Sequence, residues 1–464
     1  MSGHFNLQKQ ITVLIGNYLM DTKFRKSNIN AGSDIIRNSI MVAGRAGRET
    51  LSSKADCIRS LNGFRQLWGS GGLRITLFVT FVIPWSITLM VFAESALAQR
   101  GQDVVSLQIN GADESIVQAE IQGPVSRYPE VFMGAEDFHN PRVQRLREEY
   151  DFLAEIVDEK SEFRKQLLLR HWIFNQWPID DSQSFGGDAF EILHRARTTD
   201  EGFHCSHATK VQQAVMTASG YVARNLGVDR NHLEFGRSYH HGVNEIWSNE
   251  HAKWVMFDAK YDNHFERDGI PLSAAEIHGA LRAGDREQIQ MVMGPDRKPV
   301  PHPVPDVYGA RVDSYWWVSY HLKQDPFTQP HFAGGSTLVV WDNEAFRTTT
   351  WYRGAGEGLA PSWAYEAEAF MPVALDQIEW TPGVTNLENI RQVEQGRLNI
   401  RPASATPNLK GYHYRINGGA WQNMDGGESI NWPLSEGMNT LEVQSRNLFG
   451  VEGPVATAKV HYQP

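Results

Sequence analysis

Apolar residues recur every three or four positions in two stretches between residues 141 and 176, which is the spacing of a helix face. The first stretch begins at Pro141, and its apolar positions are Val143, Leu146, Tyr150, Leu153 and Val157. The second runs from Ser161 to about Gln176 and contains Phe163, Leu167, Trp172 and Ile173. The pattern predicts two consecutive helices, each with a buried face.

Two capping boxes mark the starts of further helices. Asp188 with Glu191, and Ser273 with Glu276, are spaced so that each side chain can accept a hydrogen bond from the other residue's backbone N–H. The first box opens a helical block that is predicted to continue to Gly220, where glycine suits a helix end.

The pattern changes to strands after this block. Residues 243–257 are typical of a strand, a turn and a second strand, and the aromatic runs 314–322 and 336–341 are strand-like. Helices followed by an antiparallel sheet indicate an α+β domain. We assign it to residues 136–371.

From residue 372 to residue 464 the chain is predicted to be all-β. Residues 417–419, Asn-Gly-Gly, form a strong hairpin signal, and 440–443 and 456–462 alternate apolar and polar residues. Short strands over about 90 residues fit a small β-sandwich of immunoglobulin or fibronectin type III kind. Residues 99–135, ahead of the α+β domain, are expected to be a loosely ordered lead-in.

An uncharged apolar run, residues 75–93, follows Arg74 and precedes the small-residue pattern Ala-Leu-Ala at 96–98. A basic flank, an apolar run and such a site predict a secretory signal peptide and an exported protein, in the periplasm, at the cell surface or secreted. The alternative is an uncleaved anchor helix, since 19 residues can just span a bilayer. Residues 1–69 are then either an over-long start assignment or a cytoplasmic tail.

Charge and cysteine content change sharply at this predicted boundary. Residues 1–98 hold 11 Lys and Arg against five Asp and Glu, whereas residues 99–464 hold 33 against 49, a net charge of −16. So acidic a chain argues against nucleic-acid binding, which needs a basic face. Of the two cysteines, Cys57 falls before the boundary and Cys205 after it. This count excludes a disulfide scaffold and a cysteine-rich zinc module.

The single cysteine of the predicted exported part precedes an apolar helical stripe. The stripe consists of Ala208, Val211, Val215 and Ala218. Cys205 is therefore predicted at a helix N-terminus, where unpaired backbone N–H groups and the positive end of the helix dipole favour a thiolate.

A histidine and an aspartate are predicted to meet across the strand–turn–strand segment. If Asn249 and Glu250 form a two-residue hairpin tip, His241 lies directly opposite Asp258. Directly opposed side chains are close enough for an imidazole and a carboxylate to form a hydrogen bond. Cysteine, histidine and aspartate would then supply a nucleophile, a base and an orienting group.

These residues resemble the transglutaminase-like superfamily, which includes bacterial transglutaminase-like and cysteine protease domains. Four elements carry the resemblance, and they span about residues 186–285. They are Cys205 at a helix start, Gly-x-x-Ala-Arg at 220–224, His241 with Glu245, and Trp254 with Asp258. The resemblance implies a papain-like α+β core with N-terminal helices and an antiparallel sheet.

The resemblance implies Cys205 as the nucleophile, His241 as the general base and acid, and Asp258 as the residue that orients His241. Gln176 and Gln183 are candidate oxyanion donors, together with the backbone N–H of Cys205. The neighbouring His240 is expected to point to the opposite face of its strand.

The sequence departs from the family pattern at Val243, where an aromatic residue is common, and at Ala259-Lys260, where Pro-Thr often follows the aspartate. These changes concern substrate fit more than chemistry. The predicted activity is cleavage of amide or peptide carbonyls through a thioester, with hydrolysis favoured over transfer to an amine. A protein or peptide is the expected substrate class, and the cell envelope is one source of it. No cofactor or metal is predicted, and membrane contact is expected only through residues 75–93 if they remain uncleaved.

Three other interpretations compete with a thiol enzyme. The transglutaminase-like domain could be degenerate, in an exported binding or adhesion protein. His204, Cys205 and His207 could be metal ligands, although no HExxH or CxxC spacing is present. A serine hydrolase is disfavoured because the chain has no GxSxG elbow.

Overall fold

The computed structural model describes residues 103–179, 187–230, 239–301, 312–321, 324–327, 338–341, 370–387 and 389–464. The predicted signal or anchor segment, residues 75–93, lies outside these ranges, as does Gln183. Within the described ranges no helix has the length and apolar character needed to cross a membrane. Residues 98–464 belong to one compact unit.

The described helices lie mainly in the first part of this unit. They are α1 (Pro141–Glu149), α2 (Glu162–Phe174), α3 (Ala189–Thr198), α4 (Cys205–Ala218) and α5 (Ala274–Ala283). Asp188 and Ser273 cap α3 and α5 through complete capping boxes with Glu191 and Glu276, so both predicted boxes are confirmed. Ser161 caps α2 by accepting a hydrogen bond from the Arg164 N–H.

The first predicted helix is shorter than its apolar spacing suggests. It ends at Glu149, Tyr150 is extended, and a 3₁₀ turn follows at Phe152–Ile156. Phe152 lies off the stripe that a continuous helix would bury, yet it is fully buried and its ring packs edge-on against Trp172 at 5.7 Å. The break in the helix thus adds an aromatic side chain to the core that the helical spacing leaves out.

A central sheet of six strands supports the helices. Its strands are β3 (Ala223–Arg230), β4 (Tyr239–Ser248), β5 (Lys253–Phe257), β10 (Trp317–His321), β11 (Leu338–Trp341) and β12 (Phe370–Val373), in the spatial order β12-β11-β10-β3-β4-β5. All neighbours are antiparallel except β11 and β12. Helix α4 packs on β3 and β4. The fold class is therefore α+β, as predicted, with most strands antiparallel.

A second, four-stranded sheet follows β5 along the chain. Its strands are β6 (Asn263–Arg267), β7 (Ile270–Pro271), β8 (Gln290–Met293) and β9 (Lys298–Pro299), in the order β9-β8-β6-β7. An isolated antiparallel bridge between Asp258 and Asn263 connects the end of β5 to the start of β6. Asp258 thus lies where the two sheets meet.

The hairpin of β4 and β5 has a longer turn than predicted. Trp247 pairs with Trp254 and Ser248 pairs with Lys253, so residues 249–252 form a four-residue loop. The predicted direct pairing of His241 with Asp258 is wrong, because the register is shifted by two residues. A shift of two positions keeps every side chain on its original face, so these two residues still lie on the same side of the hairpin.

The described C-terminal region has two sheets around one core, and β13 and β16 pair separately as a small two-stranded sheet. The strands are β13 (Thr385–Asn386), β14 (Ile390–Glu394), β15 (Arg397–Ile400), β16 (Ala403–Ser404), β17 (Leu409–Ile416), β18 (Gln422–Asp425), β19 (Ile430–Pro433), β20 (Gly437–Asn447) and β21 (Ala456–Tyr462). Strands β14, β15 and β19 form one sheet, and β21, β20, β17 and β18 are part of the other. Leu398 and Trp432 of the smaller sheet share a buried cluster with Leu441 and Val460 of the larger one.

The lead-in segment does not have the loose order expected of it. Strands β1 (Asp103–Ser106) and β2 (Ile116–Gly123) pair with each other, and β2 pairs with β21, so the larger C-terminal sheet has six strands. Leu107, just after β1, is buried in the same core. The sequence gives little indication of these two strands. The residues of β2, which lies along the edge of β21, are partly buried or exposed, so they lack the clear apolar alternation of a core strand.

A turn of the C-terminal region packs against the end of α4. The Asn447 side-chain amide donates a hydrogen bond of 2.8 Å to the Gly220 carbonyl. Gly220 has a φ of +93°, and a Cβ there would lie 2.9 Å from a methyl group of Val451. Only glycine suits both the backbone angle and this close approach. The helix that begins at Cys205 is thus fixed at its far end by the C-terminal region.

Candidate active site

Cys205 is the first residue of α4, as the sequence predicts. His204 is the N-cap residue, and its side chain makes no capping hydrogen bond. The first turn contains no acidic residue, so no side-chain carboxylate there offsets the positive end of the helix dipole. The partly exposed thiol of Cys205 therefore lies in an environment that favours its anionic form.

His241 and Asp258 are in contact despite the shifted register. The Nε2 atom of His241 lies 2.7 Å from Oδ2 of Asp258, and both side chains are almost fully buried. The other carboxylate oxygen, Oδ1, accepts hydrogen bonds from the backbone N–H groups of Lys260 (3.0 Å) and Tyr261 (3.3 Å). The tight turn after β5 thus holds Asp258 in place, and Asp258 in turn orients the imidazole.

The thiol of Cys205 reaches His241 and the neighbouring Gly242. The side chains of Cys205 and His241 share a hydrogen bond, and the Gly242 backbone N–H donates to the sulfur. A Cβ at position 242 would lie 3.3 Å from a Thr209 methyl group and 3.8 Å from the Cys205 carbonyl carbon. The absence of a side chain at Gly242 therefore lets the start of α4 approach β4 closely.

Each partner shifts the pKa of the other. Burial acts to raise the pKa of Cys205, but the hydrogen bond and charge of His241, with the Gly242 N–H, outweigh it and lower the pKa to about 7. Burial acts to lower the pKa of His241, but the charge and hydrogen bond of Asp258, with Cys205, raise it to about 10. Between these two values the pair exists as thiolate and imidazolium.

We expect native Cys205 to react with iodoacetamide with a midpoint near pH 7. The lowered pKa means that the thiolate is present above this pH and is lost as the pH falls through it, because only the thiolate is nucleophilic. The measurement is the alkylation rate against pH in a Cys57→Ser variant, in which Cys205 is the one remaining thiol. The same variant unfolded in urea should titrate near the ordinary value of about 9. A native midpoint at or above that of the unfolded chain would contradict the ion pair.

The other motif residues form a buried support beside this pair. Arg224 Nε donates a hydrogen bond of 2.7 Å to Glu245 Oε2, and its guanidinium lies over the Trp254 ring at 4.0 Å. Glu245 Oε1 accepts from the backbone N–H of Ala274, the first residue of α5. One carboxylate thus joins β3, β4 and the start of α5. These residues hold the strands that carry His241 and Asp258.

Of the two glutamines that are candidate oxyanion donors, the structure describes Gln176 but not Gln183. Gln183 lies outside the described residues, so its position stays a prediction. Gln176 follows α2, and its side-chain amide donates 2.9 Å to the Trp172 carbonyl. It lines an open cavity of about 530 Å³ between the ends of α2 and α3, with Trp177, Thr199 and Asp200 also in the wall.

The cavity is connected to the segment that leads to Cys205. Ile179, in its wall, forms a parallel bridge with Phe203, and the rings of Trp177 and Phe203 meet edge-on at 5.5 Å. Phe203 is two residues before Cys205. The lining of the cavity contains none of Cys205, His241 and Asp258, so the contact of its wall with Phe203 is the link between the cavity and these residues.

Several contacting groups were not identified from the sequence. Besides the N–H of Gly242, they are the Tyr261 ring, 5.6 Å from the His241 ring, and Asp229, the partner of His240. A glycine beside His241 was the one available signal. Among the described residues, no group of three or more His, Cys, Asp or Glu side chains is arranged to hold a metal ion.

The three residues brought together can perform nucleophilic chemistry. Cys205 supplies a thiolate, His241 a proton donor and acceptor, and Asp258 a fixed partner for the imidazole. A scan against models of protein families finds no match, and a search of curated proteins finds no relative.

Proposed function

We propose that this chain is an exported, transglutaminase-like thiol enzyme that acts on amide or peptide carbonyls. Its domain at residues 136–371 would then be a papain-like core, and residues 372–464 an immunoglobulin-like or fibronectin-like sandwich. The single observation that carries the proposal is the connected chain Cys205–His241–Asp258, with a thiol pKa near 7. A cysteine that only fills a core has no need of an imidazole held by a buried carboxylate.

The chemistry follows from this arrangement. The Cys205 thiolate attacks the carbonyl carbon, and the backbone N–H groups at the start of α4 would stabilise the negative oxygen of the tetrahedral intermediate. The His241 imidazolium gives its proton to the leaving amine, which departs and leaves a thioester on Cys205. Neutral His241 then takes a proton from water or from a second amine as that molecule attacks the thioester. The thiolate is released, and the imidazolium is restored.

Thiol labelling and product formation together test the proposal. The full chain and two variants, Cys205→Ala and Cys57→Ser, are incubated with a library of peptides and with a fluorescent primary amine. We expect cleaved, deamidated or amine-linked peptides from the full chain and from Cys57→Ser, and none from Cys205→Ala. Incorporation of the amine would identify acyl transfer, and its absence together with hydrolysed product would identify hydrolysis.

A binding protein with a degenerate site gives a different pattern. In that case the peptide products found with the full chain and with Cys205→Ala would be the same, which would contradict the enzyme proposal. Labelling separates the two cases further, because a merely structural cysteine is alkylated slowly in the native state and has an ordinary pH dependence.

A further inference from the structure

A second imidazole–carboxylate pair lies next to the first. His240 and Asp229 are directly opposite each other on β4 and β3, and His240 Nδ1 lies 3.0 Å from Asp229 Oδ1. The Asp229 side chain is 2% exposed, whereas that of His240 is 35% exposed. A buried carboxylate thus fixes an imidazole that still reaches the surface. The proposed triad does not use either residue.

This pair lies on the face of the sheet that packs against α4. Gly227 and Gly242 are paired directly, and a Cβ on Gly242 would point at Thr209 of α4. Because side chains alternate along a strand, His240, two residues from Gly242, shares that face, and His241 does not. A Cβ on Gly227 would lie 3.5 Å from Cε1 of His240, which is ordinary contact distance, so the His240 ring lies over the Gly227–Gly242 pair.

The strand that Cys205 contacts at Gly242 therefore carries an imidazole on each of its two faces. Gly242, whose N–H contacts the sulfur, follows His240 and His241 along β4, and these two histidines lie on opposite faces. We propose that Asp229 and His240 form a positioning pair, in which Asp229 holds His240 so that its positive charge, when protonated, supports the Cys205 thiolate. This inference deepens the proposed function and rests on it.

The charged and titratable groups that surround His240 lie on four elements. They are Asp229 on β3, His241 on β4, Cys205 and Lys210 on α4, and His321 on β10. Burial, with the charges of His240 and Lys210, lowers the pKa of His321 to about 4, so His321 is neutral near pH 7. His240 also acts on the pKa of Cys205 in the same direction as His241, though more weakly. The one carboxylate among these groups, Asp229, pairs with His240. Burial raises the pKa of Asp229, and the charge and hydrogen bond of His240 oppose that rise.

The test separates charge from structure with two substitutions at one position. In a Cys57→Ser background of the full chain, His240→Gln removes the charge and keeps a polar side chain of similar size. His240→Arg keeps a positive charge and can still pair with Asp229. Alkylation of Cys205 by iodoacetamide is followed against pH, at low and at high salt, and folding is checked by circular dichroism.

We expect His240→Gln to slow alkylation at pH 6 by about three- to tenfold, because the thiolate loses one favourable charge. His240→Arg should retain the original alkylation rate. High salt should reduce the difference in alkylation rate between the unsubstituted chain and His240→Gln, because salt screens the charge. The pairing role would be overturned if folded His240→Gln kept the same pH midpoint of alkylation. It would also be overturned if His240→Arg and His240→Gln shifted that midpoint equally. Asp229→Asn, if folded, should shift the midpoint in the same direction as His240→Gln.

The outcome is distinguishable from failure of the proposed function. Alkylation reports the thiolate whether or not any peptide is turned over. A shift in His240→Gln without any product from the full chain would leave the electrostatic role standing and the enzyme proposal rejected. An ordinary midpoint near 9 in the unsubstituted chain would reject both.

Discussion

Replacing His241 with alanine is expected to slow the alkylation of Cys205 at pH 6 by at least about 100-fold. The hydrogen bond and charge of His241 are the main influences that lower the Cys205 pKa from 9 to about 7, and burial opposes them. Without the imidazole the pKa returns to its ordinary value or rises above it, which leaves about a hundredfold less thiolate at this pH. Turnover, if present, should fall by a further factor of about 10²–10⁴ because the proton donor is lost.

A matched control for this substitution is His194→Ala, on the exposed side of α3. It removes an exposed imidazole that takes no part in the chain from Cys205 to Asp258, so alkylation should be unchanged. Asp258→Asn is expected to give an intermediate result, since it keeps the shape but removes the charge that raises the His241 pKa. A His241→Ala protein that reacts as fast as the unsubstituted chain at pH 6 would show that the thiolate does not depend on this pair.

Replacing Arg224 with methionine is expected to lower the free energy of unfolding by about 3–5 kcal/mol. The Glu245 side chain is fully buried, and the substitution leaves its carboxylate with no cation beside it. The loss of the guanidinium over Trp254 adds to the cost. The measurement is the unfolding midpoint in urea of the full chain, with its slope.

Two further variants identify the cause of the expected loss in the free energy of unfolding. Arg145→Met breaks an exposed helical pair with Glu149, whose side chains are 58% and 44% exposed, and it should leave the unfolding midpoint in urea nearly unchanged. The double variant Arg224→Met with Glu245→Leu should recover much of the lost stability, because it removes the uncompensated charge. A double variant no more stable than Arg224→Met would show that packing, and not the buried charge, dominates.

The support and the proposed chemistry are coupled through one strand. Glu245 and His241 are four residues apart on β4 and therefore share a face. Glu245 also accepts the first backbone N–H of α5. Loss of Arg224 is thus expected to loosen the strand that carries the imidazole as well as to destabilise the fold.

Local signals predicted local features well. The capping pairs at Asp188 and Ser273 marked helix starts correctly, since each depends on a hydrogen bond between residues three apart. Cys205 was predicted at a helix start for a similar reason, from the apolar stripe that follows it. Features that depend on distant neighbours were predicted less well. The break at Tyr150 buries Phe152 against Trp172, and no spacing within one helix contains that information.

The elements that carry the candidate site, and the types of residue in it, could be predicted from local patterns. These patterns indicated a thiol at a helix N-terminus and a histidine and an aspartate on one face of a hairpin, because helix and strand periods decide which residues share a face. How the three side chains meet depends on the packing of distant elements. The four-residue turn, the bare backbone at Gly242 and the N–H groups that hold Asp258 depend on packing between α4, β4 and β5. Packing also brought Asp229 against His240 and added β1 and β2 to the C-terminal sheet, since residues far apart in sequence become neighbours only when a core forms.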